Sequence, residues 1–252
     1  MKRRVFLRGL AAATASTALL SRRAFAIGDE ARLRIGQIVY DGGEWNPRPR
    51  AISGLLREVE RRTSIIVDPD PRPIRVADRD LFEYPLLYIA GLEGFAPWAE
   101  TDVERLRRFL DAGGMLVADD AMGRAGWGFD ESFRRELARV YPGTDLVALD
   151  PDHTIYRSFY LLDRPSGRQL RKPYLEGIVR GDRAPVVYSQ NDLGGAWATD
   201  RFGRPVYQTV GGGARQRELA LRLGVNLVLY ALTLDYKRDQ IHIPFILRRR
   251  KV

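Results

Sequence analysis

The stretch Ala112-Gly113-Gly114-Met115-Leu116-Val117-Ala118-Asp119-Asp120 packs three signals into nine residues: a helix-ending glycine pair, a short apolar run and two adjacent carboxylates. It reads as helix stop, buried strand and loop opening. In a central parallel strand, Asp119 and Asp120 emerge at the carboxyl end, where open α/β sheets keep their ligand sites. The fold then rests on whether the flanking segments repeat this strand-and-helix grammar.

Upstream they do. Leu86-Leu87-Tyr88-Ile89-Ala90 is a continuous apolar run between Pro85 and Gly91, the pattern of a strand covered on both faces. Between it and the opening stretch, Thr101-Asp102-Val103-Glu104 matches a capping box, and Val103, Leu106, Phe109 and Leu110 form the apolar face of a helix that Gly113 ends. Leu33 to Tyr40 is the predicted first strand, closed by the turn Asp41-Gly42-Gly43, and Ile52, Leu55, Leu56 and Val59 give the next helix. Ile65-Ile66-Val67 reads as a second short strand, and the proline-rich Asp68 to Pro73 as loop.

Downstream, the glycine-rich Ala121 to Gly128 leads into a helix carrying Phe133, Leu137 and Val140. Leu146 to Leu149 is strand-like. Leu175 to Val179 and Pro185 to Tyr188 read as a hairpin-like pair around Arg180-Gly181-Asp182-Arg183, one of which could join the main sheet. A nearly all-apolar helix from Ala214 to about Leu232 packs on the sheet, and Gln240 to Ile246 is strand-like. Strands alternating with helices predict a doubly wound, mostly parallel α/β sheet. No repeat or long linker divides residues 27–252, so one domain is expected.

The formal charge of +9 points toward nucleic acid until its distribution is read. Lys2, Arg3, Arg4, Arg8, Arg22 and Arg23 lie in residues 1–26, which hold no acid, so the remainder carries only about +3. Nucleic acid is therefore a poor partner class. The tail Arg248-Arg249-Arg250-Lys251 reads as a solvated end in preference to a lipid contact. There is no cysteine, which excludes thiolate nucleophiles, thiolate metal sites and disulfides, and two histidines, His153 and His242, are too few for a multi-histidine zinc site.

Residues 1–26 have a basic start, an apolar middle from Gly9 to Leu20 and the small-residue end Ala24-Phe25-Ala26, the three parts of a secretory signal. Arg3-Arg4-Val5-Phe6-Leu7 resembles the twin-arginine signal, and the weakly apolar middle with Arg22-Arg23 fits that route better than the general one. The expected location is the periplasm. No run of about 18 apolar residues gives a membrane span elsewhere.

The opening stretch, together with Phe129 to Leu137, Asp152-His153-Thr154-Ile155-Tyr156, Tyr188 to Gly194 and Arg222 to Leu232, resembles the domain of unknown function 4159 family over roughly residues 32–235. The resemblance implies a flavodoxin-like fold similar to class I glutamine amidotransferases, in exported or membrane-attached bacterial proteins, with no activity established. Glutaminase chemistry needs a cysteine nucleophile, and this chain has none.

Asp41, Glu93, Asp119, Asp120, Asn191 and Asp192 should share one rim of the sheet. Oxygen ligands from several loops could hold a divalent cation, with Asp119 and Asp120 the first candidates. The plainer reading makes them turn and helix-capping residues. His153 with Ser189 could form a base and nucleophile, although no glycine-flanked elbow surrounds Ser189. Gly211-Gly212-Gly213 could offer backbone N–H groups to an anion, and Trp127 and Trp197 a platform beside the rim. These residues favour a non-catalytic module of the bacterial envelope that takes a small ligand or a protein partner, with no cofactor; the alternative is a metal-assisted or Ser/His hydrolase on the same rim.

Cleavage after Ala26 predicts that the exported chain begins at Ile27. Mass spectrometry of the periplasmic fraction checks this, and Arg3→Lys/Arg4→Lys should hold the precursor in the cytoplasm. Undiminished export of that variant would exclude the twin-arginine route.

Overall fold

The computed structural model describes residues 32–249, with side chains as far as residue 233. The leader with Arg3, Arg4, Ala24 and Ala26 lies outside the described residues, as do the side chains of His242 and of the basic tail.

Leu33–Arg249 forms an α/β unit around a seven-stranded sheet. The strands are β1 (Ile35–Ile38), β2 (Arg72–Ile74), β3 (Leu86–Gly91), β4 (Met115–Asp120), β5 (Val147–Ala148), β6 (Glu176–Arg180) and β7 (Arg183–Ser189). Their order is β2-β1-β3-β4-β7-β6-β5. The first five positions are parallel, and β6 and β5 add an antiparallel edge. With β7 as fifth parallel strand this is the flavodoxin-like doubly wound order. Both members of the expected hairpin pair enter the sheet, β7 parallel beside β4 and β6 antiparallel beyond it.

The pleat sorts side chains between two cores. Leu86, Tyr88, Met115 and Val117 face one side with helices α1 (Ala51–Arg62), α4 (Leu193–Trp197) and α5 (Gly213–Arg249). Leu87, Ile89, Leu116 and Ala118 face the other with α2 (Glu100–Asp111) and α3 (Phe129–Val140). Both strands are buried along their whole length, which is why they carry unbroken apolar runs. Helices α1, α2 and α3 bury the residues that their spacing marks.

Three expectations are corrected. The strand beside β1 is Arg72-Pro73-Ile74, which overlaps the end of the stretch read as loop, while of Ile65-Ile66-Val67 only Val67 makes a lone bridge, to Leu33. β2 is an edge strand, so the missing N–H of Pro73 costs little there, and Ile66 is exposed rather than core. Helix α2 begins at Glu100 with Ala99 as its N-cap and no side-chain cap, so the capping box at Thr101 does not form. Residues 240–246 continue α5 as helix and are not a strand. Among the described residues, no helix is long and apolar enough to cross a membrane.

Helices α1, α4 and α5 approach closely because glycines face the contact. A Cβ on Gly54 would overlap the carbonyl oxygen of Trp197, and one on Gly224 would overlap Leu55 and crowd the Trp197 ring. Trp197 is fully buried and donates its indole N–H to the Ala220 carbonyl at 2.9 Å. Arg62 on α1 makes a two-pronged pair with Glu218 on α5, both contacts 2.8 Å.

Gly→Ala inside a helix ordinarily stabilises by about 1 kcal/mol. At Gly54 the overlap reverses the sign, and Gly54→Ala should destabilise by ~1–3 kcal/mol. The urea midpoint measures it; an unchanged or raised midpoint would show that the α1–α4 contact yields freely.

Candidate functional site

Strand β4 delivers Asp119 and Asp120 to the carboxyl end of the sheet, as its sequence foretells, but the pleat sends them to opposite faces. Asp119 goes to the α4 side. Its Oδ1 accepts from Leu193 N at 2.8 Å, and its Oδ2 from Gly194 N at 2.7 Å and from the Tyr88 hydroxyl at 2.9 Å. It has no exposed surface. Burial, reinforced by the nearby Asp192 carboxylate, pushes its pKa up to about 7 against the pull of those hydrogen bonds. Asp120 accepts from Met122, Gly123 and Arg124 N–H groups at 2.8–3.1 Å, fastening the glycine-rich loop, and burial pushes it up to about 6.

Asp192 sits at the turn from β7 into α4 with φ of 55°, a left-handed conformation that aspartate adopts more readily than most side chains. Its carboxylate accepts from Gly195 N at 3.0 Å as a helix cap. It also receives Nε and Nη2 of Arg48, both at 2.9 Å, and Nε of Arg168. Arg48 in turn lies over the Tyr207 ring, 4.8 Å from its centre. Asn191 accepts from Arg171 N and Lys172 N and donates to the Lys172 carbonyl, so it holds the same loop that carries Arg168. Ser189 accepts from Asn191 N at 3.1 Å.

His153 caps a short 3-10 turn, accepting from Ile155 N at 3.2 Å, and burial lowers its pKa. Its ring packs against Tyr230, whose hydroxyl accepts from Ala184 N at the amino end of β7. Ser189 closes the other end of that strand. His153 and Ser189 make no hydrogen bond to each other: His153 accepts from Ile155 N and Ser189 from Asn191 N. Nor do Asp119 and Asp120 form a shared cation site: among the described residues, no three His, Asp or Glu side chains gather as a metal-binding set.

The tryptophans also disperse. Trp197 is core, while Trp127 is partly exposed on the glycine-rich loop under the Arg124 guanidinium at 4.9 Å. Of Gly211-Gly212-Gly213, Gly212 donates its N–H to Gln216 Oε1 at 2.7 Å. Glu93 is exposed on the loop after β3.

Asp41 is also exposed. It follows β1 and makes a two-pronged pair with Arg75, which follows β2, at 2.9 and 3.0 Å; that pairing lowers its pKa. Behind the pair opens a crevice of about 300 Å³, walled by Val39, Val76, Ala77, Pro97 and Trp98. Gly42 and Gly43 let the β1 loop lie against Ala96 and Gly94, and Asp41 O accepts from Ala96 N at 2.9 Å. The crevice sits beside β1, where the strand order reverses, the usual seat of ligands in such sheets.

Sequence reasoning missed Arg48, Arg75, Arg168 and Tyr88. Arg48 and Asp192 are 144 residues apart, so no local spacing pairs them; the one signal was an arginine between two prolines in Pro47-Arg48-Pro49.

The fold and rim together define a flavodoxin-like, doubly wound α/β domain whose polar residues over β4 and β7 are occupied by its own loops. Residues 34–232 match the family described as Domain of unknown function (DUF4159), and the chain belongs to it. No curated protein matches the chain.

Asp119→Asn leaves one oxygen to serve two backbone donors, and should cost ~1–3 kcal/mol. Because the folded pKa of Asp119 lies above its ordinary 3.8, the native state retains a proton that the unfolded chain releases between about pH 4 and pH 7. Its contribution is complete below pH 4 and is lost as pH rises through 7. The urea-derived gap between wild type and Asp119→Asn should therefore widen from pH 8 to pH 5. A gap that is constant or narrows would mean that Asp119 is ionised throughout.

Proposed function

We propose that this chain is an exported envelope protein that binds a small organic ligand in the crevice behind Asp41 and Arg75, and that it catalyses no reaction. One observation carries this reading. Asp119, Asp120, Ser189, Asn191 and Asp192 are buried and engaged with protein partners, while the crevice of about 300 Å³ stays open at the strand-order reversal. Its size falls at the lower end of small-ligand sites, and its lining mixes apolar Val76, Pro97 and Trp98 with the charged Asp41, Arg75 and Asp102. A ligand with an apolar body against Val76, Pro97 and Trp98, and a polar end meeting Asp41 or Arg75, fits it. The exposed Asp41–Arg75 pair contributes little to stability, so it opens at small cost.

The hydrolase reading requires His153 to take the proton of Ser189, and the two share no hydrogen bond. A glutamine amidotransferase-like ancestry would be consistent with a sheet that has kept the fold without the cysteine. The leader supports periplasmic delivery by the twin-arginine route, which carries proteins already folded.

Ligand-observed NMR of the protein with a panel of small aromatic, carbohydrate and dipeptide fragments tests the site. Hits should compete with one another and vanish in Ala77→Phe, which fills the crevice. Hits that survive in that variant, or no hit from any class, would overturn the assignment; turnover of chromogenic esters by wild type would overturn the non-catalytic reading.

A further inference from the structure

A second cavity, of about 250 Å³, lies between the loop that follows the 3-10 turn at Thr154–Arg157 and the first turns of α5. It shares no residue with the crevice at Asp41. Arg164 and Arg215 both line it, and no acidic side chain does.

The surrounding loop is strongly basic, yet most of its cations are already engaged. Arg168 is held by Asp192, Arg171 donates to Gln169 Oε1 at 2.7 Å, and Lys172 lies over the Tyr174 ring. Arg164 and Arg215 differ: among the described residues neither side chain makes a hydrogen bond, ion pair or ring contact. Two guanidiniums lining one small cavity repel each other, and an anion between them would relieve that repulsion.

The two walls are locked together beneath these arginines. Ser166 and Gln216 are buried. Ser166 donates to the Gln216 carbonyl at 2.9 Å, and Gln216 Nε2 donates to the Gly167 and Arg168 carbonyls at 2.8 and 2.9 Å. Gly167 packs so closely on Asn191 that a Cβ would overlap its carbonyl oxygen. The backbone that carries the two arginines is thus fixed, and so is the cavity between its walls.

We propose that this cavity binds a phosphate monoester. A guanidinium fork matches phosphate or carboxylate oxygens, but two forks with no acid in the cavity favour a dianion over a single carboxylate. The remaining lining accommodates the esterified part: Pro165, Leu219 and Leu170, the last 54% exposed. The monoester can be soluble or the headgroup of a lipid.

The test uses the full chain. Melting curves are recorded with inorganic phosphate at 10 mM against chloride at equal ionic strength, and co-sedimentation with phosphatidylcholine vesicles with and without phosphatidic acid. For a millimolar site, phosphate should raise the melting temperature by about 3 °C, and Arg164→Gln/Arg215→Gln should abolish the rise. Arg164→Lys/Arg215→Lys keeps the charge but loses the forks, and should lose most of it. Both exposed pairs should leave the urea midpoint in chloride unchanged; if a double variant does not fold, the single variants carry the comparison. Phosphatidic acid binding that the Gln pair abolishes, with no response to inorganic phosphate, assigns the monoester to a lipid. Equal responses in wild type and the Gln pair, or no response to either probe, overturn the proposal. Ala77→Phe should keep the phosphate response, so failure here and failure of the crevice reading are separable.

Discussion

The carboxylate of Asp119 is the constraint on which the upper half of the molecule depends. It reaches from the end of β4 to the first two N–H groups of α4 and to the Tyr88 hydroxyl on β3, fixing how the chain leaves β7. Without that anchor, the left-handed turn at Asp192 would have no fixed direction. With it, Asp192 is placed where Arg48 from the β1–α1 loop and Arg168 from the loop before β6 converge on one carboxylate. Four segments far apart in sequence are tied at one point. Removing two or three charges from water is costly, and a buried pair of this kind is weak as a source of net stability. Its effect is better understood as selection: it excludes every arrangement in which those loops lie elsewhere, because each would leave a charge buried and unpaired.

That arrangement decides where ligands can go. The space over β4 and β7, the centre of the sheet, is filled by the chain's own polar groups. Among the described residues, open volume lies beside β1, where Asp41 and Arg75 face solvent, and beside the start of α5, where Arg164 and Arg215 do. In both places glycines let loops run close to one another, at Gly42 and Gly43 in the first and at Gly167 near the second. Close backbone approach leaves shallow, well-defined hollows rather than a deep cleft.

The sequence is most legible where structure is set by near neighbours. The runs at Leu86–Ala90 and Met115–Ala118 could only be doubly covered strands, and the helical spacing of Val103, Leu106 and Phe133, Leu137 marks buried faces that the structure contains. β2 was illegible because an edge strand needs neither apolar alternation nor every N–H, so Arg72-Pro73-Ile74 looks like loop. The rim was half legible. Asp119, Asp120, Asn191 and Asp192 do gather at the carboxyl ends, but an aspartate that caps a loop and one that binds a ligand are the same residue in the same local setting. Only the partners distinguish them, and Tyr88, Arg48 and Arg168 come from distant segments.

Shifted carboxyl pKa values commonly point to active sites, and Asp119 and Asp120 would pass that filter. Accessibility argues otherwise here. Desolvation raises both values, and the same burial that raises them denies any substrate contact with Asp119. A catalytic acid needs its proton within reach of a reacting atom; the acceptor oxygens of Asp119 face two backbone donors and a tyrosine. The perturbation is thus the electrostatic signature of a carboxylate doing a structural task inside the protein, while the exposed groups at the margins are the paired Asp41 and Arg75 and the unpaired side chains of Arg164 and Arg215.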